Sequence, residues 1–137
     1  MRSYPTNSPQ AAGRILALML IADGNVCTSE IGALIQQGAE PRLGLADGSL
    51  GVLLRDLCED LMLGGYHGGA LSGFLDDDSL RSMMAELTHP PLQAEVMALA
   101  HAAAGSDTHL AEGEAFILDA ARRHWPAAAA LQAAAAA

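Results

Sequence analysis

Aromatic side chains are scarce in this chain, 4% of 137 residues, although 51% are hydrophobic. A core short of rings must be built from Leu, Ile, Val, Met and Ala, which suit close helix–helix packing better than wide strands, so composition favours an all-α domain. Cysteine is equally sparse. Cys27 and Cys58 are the two present; they are too few for a disulfide framework or a zinc quartet and do not form a CxxC pair, so reduced thiols are the simplest expectation. Positive charge is thin as well: seven Lys+Arg face sixteen Asp+Glu, a formal net charge of −9. That balance repels phosphate backbones and anionic lipid, which excludes nucleic acid as an expected partner and favours divalent cations or basic partners. The longest apolar run, "ILALMLIA", is less than half of the roughly 20 residues a membrane-spanning helix needs. The start, "MRSYPTNSPQ", lacks the basic-then-apolar order of a secretory signal. A soluble, cytoplasmic chain without a membrane span is the expectation. No P-loop, Rossmann fingerprint, GxSxG elbow or Ser–His–Asp order occurs, so nucleotide binding and covalent catalysis have no local signature.

What is present reads as one domain of helices. Ser8-Pro9 predicts an N-cap followed by proline at the first helical position, where its missing N–H costs nothing. The helix they open runs to about Ala22 and is apolar almost all round, the mark of a central, buried helix. A second helix is expected from Cys27 or Thr28, with Ile31, Leu34 and Ile35 on one face and Gly38 and Pro41 as stop signals. A third, capped by Asp47 or Ser49, carries Leu50, Leu53, Leu54, Leu57 and Leu61 at helical spacing and closes on Gly64-Gly65. Arg55, Glu59 and Met62 on it are ordinary surface and core positions, and Cys58 reads as a small buried hydrophobe. "GGYHGGALSGF" reads as a loop. Asp76, Asp77 and Asp78 open a fourth helix as a capping cluster. Pro90-Pro91 stops it and launches a fifth, from about Leu92 to Ala104, with Val96, Met97, Leu99 and Ala103 inward. His89 is expected in the turn and His101 half-buried on the helix. A sixth helix covers about Ala111 to His124, and the alanine-rich tail, residues 127–137, is a helix former with little to pack.

The chain also repeats itself. "SDTHLAEGE", Ser106 to Glu114, aligns without a gap under "ADGNVCTSE", Ala22 to Glu30, matching Asp107 with Asp23, Leu110 with Val26 and Glu114 with Glu30. Each copy follows an apolar helix and opens another, the pattern of a duplicated helix–loop–helix. Each acid has a structural role open to it: the aspartate ties down its own turn, and the glutamate reaches back to unpaired backbone N–H groups. Each also has a ligand role. Hard cations want several oxygens, and Asp23, the Asn25 side-chain carbonyl, a loop carbonyl and Glu30 can supply them, in a loop too short for an EF-hand. In the second copy His109 replaces Asn25 and adds an imidazole that suits a transition metal. His67 and Tyr66 in the glycine-rich loop would complete such a site if that loop folds over the acidic face.

The run "ILALMLIADGNVCTSEI" near the start, with its degenerate second copy "VMALAHAAAGSDTHLAEGEAFIL" near the end, resembles the TerB-like domains, named for tellurite resistance proteins and related to the N-terminal region of DjlA co-chaperones. The resemblance implies an all-helical, single-domain bundle of about six to seven helices over residues 1–126, built from two pseudo-symmetric helix–loop–helix halves. It further implies that Asp23 and Glu30 gather with Asp107 and Glu114 on one face to bind a metal ion, in a stress or tellurite-resistance context. Two departures stand in the sequence: Thr108 replaces the glycine after the second aspartate, and Cys27 takes the place of a serine N-cap, a poor substitute. The leading expectation is a non-enzymatic acidic module that binds a divalent cation or a protein partner. Two others remain: a metal-dependent hydrolase using a carboxylate cluster, for which no residue stands out as the general base, and a purely structural, dimeric interaction module in which all four acids are caps.

Overall fold

The computed structural model describes residues 4–21, 35–36, 38–66, 74–104 and 112–126; for residues 20, 77, 101–104, 112–116 and 118 the backbone alone is described. These residues form six helices, α1 (Pro9–Leu20), α2 (Ala39–Leu43), α3 (Ser49–Leu63), α4 (Asp77–Met84), α5 (Pro90–Ala104) and α6 (Glu112–His124), and no strand. The all-α expectation holds for this part of the chain. No described helix is long and apolar enough to cross a membrane.

Helix α1 is the centre of the packing, in contact with each of the other five helices. Ser8 caps it, its hydroxyl accepting from the Ala11 N–H at 3.1 Å, with Pro9 at the first helical position. From Ala11 to Met19 every side chain on it is buried, as an all-round apolar pattern requires. Each fully buried Leu or Ile there contributes about 1.5–3 kcal/mol of transfer free energy. The approach of α3 is close because Gly13 has no side chain: a Cβ at that position would lie 2.5 Å from Leu53 Cδ1. Leu50, Leu53, Leu57 and Leu61 form the buried stripe of α3, with Leu54 half-buried beside it.

Several element boundaries differ from the sequence expectations. Most of the expected second helix lies outside the described residues; of its inward face, Ile35 is described and is 58% exposed, because it stands at the very end where Gly38 N–H closes a turn on its carbonyl. Gly38, at φ 71°, does end that segment, but Pro41 does not stop anything. It is the third residue of α2, within the first turn, where a missing N–H leaves no bond unmade. Neither Asp47 nor Ser49 caps α3. Ser49 is its first helical residue, Gly48 precedes it without a side-chain bond, and the cap comes from another helix: Glu40 Oε2 on α2 accepts the Leu50 N–H at 3.0 Å. Arg42 of α2 pairs with Glu95 of α5, so this one-turn helix is tied at both faces.

The N-terminal segment is clamped onto the turn between α4 and α5. Asn7 takes the left-handed conformation, φ 61°, which asparagine tolerates better than most residues. Its Oδ1 accepts from the Thr88 and His89 N–H groups at 2.8 and 3.0 Å, satisfying donors just ahead of α5, while its own N–H donates to the Glu86 carbonyl. His89 is exposed in this turn, as expected, and α5 begins at Pro90. Val96, Met97 and Leu99 face inward.

Candidate functional site

Of the six candidate ligands, Asp23, Asn25, Glu30, Asp107 and His109 lie outside the described residues, and Glu114 is described by its backbone alone, as the third residue of α6. His67, Cys27 and the side chain of His101 likewise lie outside the description. Of the helices flanking the two copies, α1 before the first and α5 and α6 on either side of the second are described. α1 ends at Leu20, two residues before the first copy; α5 ends at Ala104, two residues before the second; and α1 packs against both α5 and α6. Among the described residues no group of three or more His, Cys, Asp or Glu side chains is placed to hold a metal ion.

Most acids that are described have structural partners. Glu40 caps α3 and Glu86 pairs with Arg14. Asp119 pairs with Arg122 at 3.0 Å, and Asp78 with Arg81 at 3.3 Å, each one helical turn apart. Asp76 is the N-cap of α4, its Oδ1 accepting from Ser79 N–H at 2.8 Å. That bond from the Ser79 backbone holds the Asp76 carboxyl below the usual carboxylate range. A depressed folded-state pKa means stability that is present above the ordinary aspartate value, about 4, and is lost as pH falls through the folded value. Asp76→Ala is therefore expected to lower the thermal midpoint at neutral pH by more than at about pH 3. Midpoints by circular dichroism across that range check it, and a gap that does not close in acid would show the carboxylate charge to be irrelevant.

The surface also carries an apolar cluster at the C-terminal end of α3. Met62, expected to be an ordinary surface or core position, is 60% exposed and its neighbour Leu63 is 87% exposed. Phe74, 38% exposed, lies close to Gly64 just past the end of α3, with its ring centroid 5.3 Å from that of Tyr66. Leu63 falls off the Leu50–Leu61 stripe in the sequence itself, which is the signal of its exposure. Cys58, by contrast, packs against the core half-buried, and burial pushes its thiol pKa up. It fits the role of a small hydrophobe, since a raised pKa keeps it as the unreactive thiol.

Sequence reasoning passed over two buried residues altogether. Arg14 is 2% exposed in the middle of α1, and Trp125 is 2% exposed just past α6. Compared with known protein families, with curated proteins and with solved structures, the chain matches none.

Proposed function

We propose that this chain is a TerB-like, non-enzymatic helical module that binds a divalent cation through its two acidic corners, Asp23 with Glu30 and Asp107 with Glu114, and acts in a metal-tolerance or stress context. The two pseudo-symmetric halves of the resemblance belong to the same reading. The observation that carries it is the ungapped echo of "ADGNVCTSE" in "SDTHLAEGE"; α1, which precedes the first copy, packs against α5 and α6, which flank the second. The same acids can cap their helices and serve as ligands, and hard cations need several oxygens gathered from short segments such as these two. Asn25 and His109 are auxiliary ligands in this reading.

Calorimetric titration of the full chain with calcium, magnesium, manganese and zinc tests it. Saturable binding is expected for at least one ion, and the Asp23→Ala, Asp107→Ala double variant is expected to lose it. Binding that survives the double substitution removes the acidic corners as the site, and absence of binding to all four ions leaves them as helix caps. The apolar end of α3 favours a second role beside the first. Met62, Leu63 and Phe74 present exposed hydrophobic surface on a chain of net charge −9, the composition of a surface for a basic, amphipathic protein partner.

A further inference from the structure

Among the described residues α3 packs chiefly on α1, and it buries one stripe there, Leu50 to Leu61. Its opposite side is open. Val52, Arg55, Glu59 and Met62 stand on that side as one exposed row, with Leu63 next to its end. Their steps of three, four and three residues are those of a coiled-coil seam, along which two helices meet. The row is symmetric in kind: apolar, charged, charged, apolar, with the two charges of opposite sign. An antiparallel copy of α3 therefore sets Arg55 of each chain level with the partner's Glu59, and Val52 level with the partner's Met62, as a two-fold contact requires. Arg55 is 70% exposed and its ion pair with Asp56 is long, 4.0 Å, so little is lost when the guanidinium turns to another carboxylate.

Gly51 is a second, independent observation. It is exposed on the same side of α3, and a Cβ placed on it would meet no atom within 4 Å. Alanine would fit there and is the better helix former, so among the described residues no contact calls for glycine. The approach of a second helix does, because the missing side chain leaves room where the partner's Met62 arrives. We propose that two copies of this chain associate through antiparallel α3 helices, with Arg55 and Glu59 paired across the two-fold axis and the Gly51-Val52 end of each helix covered by the partner's Met62 and the partner's Leu63. Such a dimer covers the apolar end of α3, so it competes with the basic partner of the second role above.

Sedimentation equilibrium of the full chain, in the presence of chelator, reads this association without metal at the acidic corners. At about 0.15 M salt the Debye length is ~8 Å, so facing groups act while most of the repulsion between two chains of net charge −9 is screened. A monomer–dimer equilibrium with Kd of the order of 100 µM is expected, since one helix face offers less than the roughly 1,200–2,000 Å² of stable complexes. Glu59→Arg sets arginine against arginine and is expected to weaken the dimer roughly tenfold, although it reduces the net charge that drives the copies apart. Arg55→Glu is expected to do the same. An equimolar mixture of the two variants is expected to recover a heterodimer, because every facing pair is then opposite in sign. Both positions are exposed, and circular dichroism checks that the variants are folded. The proposal is overturned if the wild type stays monomeric up to about 1 mM, if Glu59→Arg associates as tightly as the wild type, or if the mixed variants stay apart. A monomeric wild type that binds a basic amphipathic peptide of lysine and leucine also overturns it, and gives the face to a basic partner instead.

Discussion

Trp125→Ala is expected to destabilise the chain by about 3–5 kcal/mol, the range for removing a fully buried large aromatic side chain. Trp125 is 2% exposed and follows the last residue of α6, its own N–H bonded to the Ala121 carbonyl at 2.7 Å. The indole does two things at once. It fills the space between α6 and α4, and its Nε1 donates to the Met84 carbonyl at 3.0 Å. Met84 is the last residue of α4, where carbonyls have no partner within the helix. Truncation therefore opens a cavity and removes one of the two hydrogen bonds to that carbonyl, which keeps the Leu87 N–H at 3.1 Å. Against a typical total of 5–15 kcal/mol for a single domain, such a loss is a large fraction of the stability. Trp125→Phe separates the two contributions, since it keeps most of the apolar volume and loses the bond. It should cost about 0.5–1.5 kcal/mol, the net worth of one hydrogen bond to a carbonyl that keeps a second donor. Urea unfolding followed by far-ultraviolet circular dichroism measures both variants; an alanine variant within about 1 kcal/mol of wild type would mean that the site collapses around the gap.

Glu86→Ala is expected to cost a comparable amount, about 3–5 kcal/mol, because it removes the carboxylate paired with a buried guanidinium. Arg14 is 2% exposed in α1, surrounded by the hydrophobic residues that make α1 the centre of the fold, and its guanidinium is paired with Glu86 and lies 4.9 Å from the centroid of the Tyr4 ring. The second oxygen of Glu86 accepts the Tyr4 N–H at 3.0 Å. One carboxylate thus neutralises the only charge on α1 and pins the N-terminal segment. Replacing both partners, Arg14→Met with Glu86→Leu, is expected to recover most of the loss, since a buried pair gives up in desolvation much of what it gains in attraction. Unfolding free energies of the two single variants and the double variant form the cycle that tests this. Additive losses would mean that the two side chains are not coupled in the folded state.

How much of this was legible beforehand follows from the range of each interaction. Ser8-Pro9, Asp76 and Pro90 mark helix starts correctly because capping involves residues two or three positions apart. The Leu50, Leu53, Leu57 and Leu61 stripe and the buried run of α1 from Ala11 to Met19 were readable for the same reason, as periodicity reports which face of a helix avoids water. The cap of α3 was misjudged because its acceptor, Glu40, sits on a different helix. Pro41 misled because a proline signal is identical whether it ends one helix or stands in the first turn of the next. At the candidate metal site, the repeat of Asp and Glu was plain in the sequence, while whether those acids converge depends on loop conformations that no spacing rule encodes.

The sequence by itself determined that the described chain is all helix, which helix is central, and where several helices begin. The tertiary structure alone decided the partners of its buried polar groups. Arg14 finds Glu86 across 72 positions, Tyr4 finds the same carboxylate across 82, and Trp125 finds Met84 across 41. Capping and periodicity act within a turn or two of helix and leave a trace in the local sequence. A contact between distant residues leaves none, because it depends on how whole hydrophobic faces are buried against one another.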